Sequence, residues 1–139
     1  MIVATFKKMN NSITEYTIEG HAQFDEEGKD IVCAAVSSIA IAITNELQRH
    51  TEISIIHRKG YLSVKLYKQV GPIIDVISRS LTNCLISHMK EIAAMYPENV
   101  ITSIKSNIDI QPNVEKSSYD SLGIVTGVLP CDSIINARW

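Results

Sequence analysis

The sequence predicts an α+β protein: a two-layer sandwich with a mixed, mostly antiparallel sheet of about five strands and two helices, in the order ββαββαβ. Three observations predict it. Two pairs of strand-like runs are each joined at a turn signal, Asn10-Asn11 and Lys59-Gly60. Each pair is followed by an apolar stretch too long for a strand and suited to a helix. A fifth strand-like run then follows Pro97.

Residues 2–8 form the first strand and 13–19 the second. Side chains alternate along a strand, so Tyr16 and Ile18 share one face while Glu15, Thr17 and Glu19 share the other. Residues 22–29 are a loop containing the acidic run Asp25-Glu26-Glu27. Asp30 is a good N-cap, since a short carboxylate accepts from the free N–H groups of a first turn; Cys33 then takes the third helical position. This helix runs to about residue 48 and is apolar on most of its circumference, from Ile31 and Val32 through Ile39 and Ile43 to Leu47. A helix of that kind is buried on more than one side, and in so small a domain a partner subunit is expected to cover part of it.

Residues 52–57 and 61–67 are the second hairpin. Gly71-Pro72 opens the second helix, with proline in the first turn, where its missing N–H is harmless. Ile73, Ile74, Ile77, Leu81, Cys84, Leu85, His88, Ile92 and Met95 recur at helical spacing and form one stripe, which puts Cys84 in the core. Tyr96-Pro97 ends the helix, and 100–104 is the fifth strand. Residues 1–105 are read as the domain. Residues 106–139 contain Pro112, Gly123, Gly127 and Pro130, and are read as an extension of unknown role, natural or appended, with a further strand at 122–129 and packed on the rest.

The composition excludes several classes. The chain has 139 residues, 45% hydrophobic and 20% charged, with a net charge of -2. That describes one globular domain able to bury its own core, without the basic surface that direct nucleic-acid binding uses. Cys33, Cys84 and Cys131 are too few and too scattered for a disulfide framework. They stand at no zinc spacing from His21, His50, His57 or His88, so no metal or other cofactor is expected. The N-terminus has no signal-peptide pattern and no apolar run reaches the length of a membrane span, so the expected home is the cytoplasm, away from membranes. Gly28-Lys29 is followed by Asp30, whose carboxylate would repel phosphate, which argues against a nucleotide loop.

The informative segment joins His21, at the end of the second strand, to Cys33, in the first turn of the helix. Free N–H groups and the macrodipole at a helix start favour a thiolate, and a nearby imidazole can take the thiol proton. The segment therefore proposes a Cys–His dyad for acyl transfer, with the oxyanion held by backbone N–H groups at the helix start. A depressed thiol would be alkylated at Cys33 faster than at Cys84. Asp30 either caps the helix, competing with the thiolate, or orients His21 as a third member. Ser37 shares the helix face of Cys33; it is either a small packing residue or a hydrogen-bonding group that positions the cysteine or a substrate carbonyl. The acidic run is either a solvated loop or a steering patch for a basic substrate. His50, His57 and His88 are read as structural or solvated, and no chemistry is assigned to Cys131.

At Gly20-His21 and at Gly28-Lys29-Asp30-Ile31-Val32-Cys33-Ala34-Ala35-Val36-Ser37 the chain resembles the bacterial ribosomal-processing cysteine proteases of the Prp family, over residues 1–105. The resemblance implies a cysteine endopeptidase that removes the N-terminal extension of large-subunit ribosomal protein twenty-seven. It implies Cys33 as nucleophile and His21 as base, with Gly20, Asp30 and Ser37 in support. It also implies a homodimer, and a mobile loop that shuts the site until substrate arrives. Members often have Gly where this chain has Gln23; Phe24 keeps the aromatic that follows. Residues 106–139 match nothing in the family. The alternative is a non-catalytic ribosome-assembly module that binds peptide or rRNA. A redox-sensing thiol is weaker, because no resolving cysteine lies nearby in sequence.

Overall fold

The structure, a computed structural model, describes residues 1–67 and 71–107. It contains β1 (Ile2–Met9), β2 (Ser12–Gly20), α1 (Ile31–His50), β3 (Ile53–Arg58), β4 (Tyr61–Leu66), α2 (Pro72–Met95) and β5 (Val100–Asn107), in the expected order. β5 runs past the expected domain boundary at 105. The expected strand at 122–129, Cys131 and the packing of the extension beyond 107 lie outside the described residues.

The strands form one sheet in the order β3-β4-β2-β1-β5. The β1–β2, β2–β4 and β3–β4 pairs are antiparallel; β1–β5 is parallel. The tight turns need left-handed backbone, supplied by Asn10 and Asn11 in one and by Gly60 in the other. β5 can run parallel to β1 because α2 precedes it; a two-residue turn could not make that connection.

One face of the sheet is covered by both helices. Ile2, Ala4 and Phe6 of β1, Tyr16 and Ile18 of β2, Ile55 of β3, and Leu62 and Val64 of β4 are all fully buried. Each large apolar side chain removed from water in this way contributes roughly 1.5–3 kcal/mol. α1 lies on this face and is tied to it by polar as well as apolar contact. The Tyr16 hydroxyl lies 2.7 Å from Thr44 Oγ1, which also donates to the Ala40 carbonyl.

Much of the apolar circumference of α1 is filled by its own chain, while Ile31, Ala35 and Ala42 stay exposed on its outer side. Val32, Val36, Ala40, Ile41, Ile43 and Leu47 are buried between the sheet and α2. By length and composition alone α1 could cross a membrane, contrary to the sequence reading, but here it serves as the core helix.

α2 keeps Leu85 and Ile92 of its expected face and departs from the rest. Its buried residues are Ser78, Thr82, Leu85, Ile86, Met89 and Ile92. Cys84 is exposed, which overturns its core placement, and Ile73 is 74% exposed. Two hydroxyl residues sit on that face: Thr82 Oγ1 donates back to the Ser78 carbonyl at 2.8 Å and so is buried with a partner, while the Ser78 hydroxyl is buried without one. An apolar count alone does not reveal that face.

Candidate active site

β2 ends at Gly20, where φ is +98° and a Cβ would run into the Met1 carbonyl oxygen. The residue must therefore be glycine for the chain to leave the sheet here. Its N–H donates to the Gly60 carbonyl at 2.9 Å, tying the strand end to the β3–β4 turn. His21 follows and is exposed. Its ring lies over Gly60: a Cβ there would sit 2.8 Å from His21 Nε2 and 3.1 Å from Cε1.

The next three residues form a cover over the start of α1. Ala22 is buried; its N–H donates to Cys33 Sγ at 3.3 Å, and its carbonyl accepts from Asn99 Nδ2 at 2.9 Å. Gln23 adopts a left-handed φ of +56°, a conformation natural to glycine and strained for other residues. The Phe24 ring meets Tyr96 edge-on, with centroids 5.3 Å apart and planes at 77°. Farther along, Glu27 pairs with Lys59 at 3.0 Å, so the acidic run is fastened to the β3–β4 turn. An exposed pair of this sort contributes at most about 1 kcal/mol.

Asp30 joins cover and helix. Its Oδ1 accepts from the N–H groups of Val32 and Cys33, both at 3.0 Å, as an N-cap should. Its Oδ2 accepts from Phe24 N–H at 2.9 Å and Asp25 N–H at 3.3 Å. Burial pushes the carboxyl up, but the four amides outweigh burial and hold it below the ordinary carboxylate range. All four bonds go to backbone amides and none to His21, so in this conformation Asp30 acts as a cap and not as an orienter of the imidazole.

Cys33 is 3% exposed. Burial pushes its thiol up, and the Asp30 charge adds to that; the Ala22 N–H and the Met1 ammonium oppose it, and the net direction is up. This corrects the expectation of a depressed thiol. The first-turn amides that would stabilise a sulfur anion already belong to Asp30. Among the described residues no hydrogen bond joins His21 to Cys33. Ser37, one helical turn farther along α1, is fully buried and its Oγ has no partner.

His21 and Cys33 are nonetheless held close. The Ala22 nitrogen is about 2.4 Å from the His21 Cα by standard geometry, so that Cα lies within roughly 6 Å of Sγ. The site thus gathers Gly20, Asp30, Cys33 and Ser37 around the start of α1, with His21 at the rim. Sequence reasoning missed the Ala22 amide, Gly60, Tyr96 and Asn99. The last three come from the β3–β4 and α2–β5 turns, and no local motif marks them.

The model of the family described as cysteine protease Prp matches residues 1–101. No curated protein matches the chain significantly. Among solved structures, the chain is similar to the essential ribosomal processing protease Prp from S. aureus in complex with a covalently linked product peptide. There the TM-score is 0.66 at 22% identity, covering 76% of this chain and 100% of that one. The same S. aureus protease with a substrate peptide gives 0.62 at 20% identity, with the same coverage. SMU.848 from Streptococcus mutans gives 0.63 at 26% identity, covering 77% of this chain and 96% of that one.

Proposed function

The chain belongs to the cysteine protease Prp family, and from that membership we propose a ribosomal-processing endopeptidase with Cys33 as nucleophile and His21 as base. The observation that supports this assignment most directly is the bond from Ala22 N–H to Cys33 Sγ, because it places the residue next to His21 against the sulfur.

In this mechanism His21 rotates off Gly60 and accepts the Cys33 proton. The thiolate forms a C–S bond to the scissile carbonyl, and backbone N–H groups stabilise the oxyanion. His21 returns the proton to the leaving amine as the C–N bond breaks. Water then hydrolyses the thioester and restores the thiol. Gly20, Asp30 and Ser37 support the site: Gly20 turns the chain so that His21 reaches the rim, Asp30 caps α1, and the free Ser37 hydroxyl is available to orient Cys33. The covered, neutral thiol is the resting form, so residues 23–25 must move before a peptide reaches Sγ, while Ala22 stays against the sulfur.

The proposed substrate is the precursor of large-subunit ribosomal protein twenty-seven, cut at the end of its N-terminal extension. The exposed Asp25 and Glu26 favour a basic chain of that kind. The same reading makes the protein a cytoplasmic homodimer, for which exposed Ile73 and Val76 offer apolar surface on α2. Cys33→Ala, assayed on a peptide spanning the junction, should lose several powers of ten in rate. Undiminished cleavage ends the reading. The buried thiol and the absence of a His21–Cys33 bond favour a second reading, a module that binds the peptide without cutting it. It predicts stable binding of the intact precursor by the unsubstituted protein.

A further inference from the structure

Asn99 stands in the α2–β5 turn, and nothing in the proposed mechanism uses it. Its environment is unusually specific. The side-chain Nδ2 donates to the Ala22 carbonyl at 2.9 Å, across 77 positions of sequence. Its backbone carbonyl accepts from Ile2 N–H at 2.8 Å, and its own N–H donates to the Tyr96 carbonyl at 3.0 Å. The residue is thus clamped by main-chain bonds to β1 and to the end of α2, leaving the side-chain amide as an arm toward Ala22. Ala22 in turn spends its N–H on Cys33 Sγ.

We propose that Asn99 is a positioning residue for the nucleophile: it anchors the Ala22 carbonyl and thereby aims the Ala22 N–H at Cys33 Sγ. The inference rests on the reading of Cys33 as nucleophile. With Asp30 holding the amides of Val32 and Cys33, the Ala22 N–H is the donor directed at the sulfur. An N–H aimed at an atom that becomes an anion makes a stronger bond after ionisation than before it. The charged groups around that sulfur are Asp30, which disfavours the anion, and the Met1 ammonium, which favours it; His21 is the proton acceptor beside Ala22.

The test reads the bond itself. In the unsubstituted protein, without substrate, the Ala22 amide proton resonance should move downfield as Cys33 ionises, and Cys33→Ala should abolish the movement. In Asn99→Ala, and in the isosteric Asn99→Asp that lacks the donor, at least half of the movement should be lost. Peptide cleavage should fall about tenfold in kcat with KM within about twofold, a change of one power of ten in rate. The backbone bonds of Asn99 survive both substitutions, and only variants with a native-like amide spectrum are compared. A full downfield movement in either variant overturns the proposal, as does a lost movement with unchanged kcat. Cleavage by Cys33→Ala would instead overturn the peptidase reading, and the amide titration, recorded without substrate, tells the two failures apart.

Discussion

Asp30 offers the sharpest test of how this site is held together. Its two oxygens serve four amides, two in the first turn of α1 and two in the cover at Phe24 and Asp25. Replacing an N-cap carboxylate by alanine costs about 1 kcal/mol on average. The short bond from Phe24, made to a charged acceptor, is worth about 1.5–3 kcal/mol, and the longer one from Asp25 adds less. Asp30→Ala should therefore destabilise the fold by about 3 kcal/mol, on the order of 15 °C in Tm for a domain of this size. Asp30→Asn keeps one acceptor for the helix amides but loses the one that serves Phe24 and Asp25, and should lose about 2 kcal/mol. The carboxyl is held below its ordinary range in the folded state, so its contribution is complete above the unfolded pKa of about 3.9 and disappears as the pH falls through the lower folded value. Urea unfolding at pH 7 and again near pH 3 provides the assay. The gap between the unsubstituted protein and Asp30→Ala should be wide at pH 7 and narrow in acid. A gap below about 0.5 kcal/mol at pH 7, or one that does not shrink in acid, would refute the four-bond account.

Three further outcomes follow from the geometry. Gly60→Ala puts a Cβ 2.8 Å from His21 Nε2 at a φ of +70°; it should cost about 1–2 kcal/mol and lower kcat about tenfold, measured by unfolding and peptide cleavage, and an unchanged kcat would show that the ring's resting place is immaterial. Gln23→Gly relieves a left-handed φ and should stabilise the protein by about 0.5–1 kcal/mol, read from the urea midpoint; a loss of stability would contradict the strain assigned to this residue. A thiol-alkylating reagent at pH 7, followed by peptide mass spectrometry, should modify exposed Cys84 well before buried Cys33; the reverse order would mean that the cover stands open most of the time.

Much of the fold was legible because its signals are local. Asn10-Asn11, Lys59-Gly60, Asp30 and Pro72 each act on their nearest neighbours, and they mark the turns and helix starts to within a residue or two. The buried face of α2 was not legible, because Thr82 becomes suitable for burial only when it bonds back along the helix, and Ser78 is buried with its hydroxyl unpaired. The α1 surface was legible only in part: the sheet and α2 take up most of its wide apolar circumference, and sequence does not say which residues, among them Ile31, Ala35 and Ala42, are left outside. In the site, Gly20, His21, Asp30 and Cys33 were readable as a compact segment. Asn99 and Gly60 were not, since their roles arise from contacts across 77 and 39 positions (99 − 22 and 60 − 21), where no spacing rule applies. The capture of the first-turn amides by Asp30 decides the state of the thiol; the sequence shows the competition but not its outcome.

The parallel ladder of β1 with β5, in which Ile2 pairs with Val100, brings the turn carrying Asn99 alongside the exit of β2. The smallest transplantable unit is consequently far larger than the diagnostic stretch between residues 20 and 37. A graft of that stretch onto a foreign scaffold would take along the sulfur, the imidazole and the carboxylate while leaving behind the amide arm that fastens them. Fragments ending before the last strand should, for the same reason, be inert even where their helix still forms.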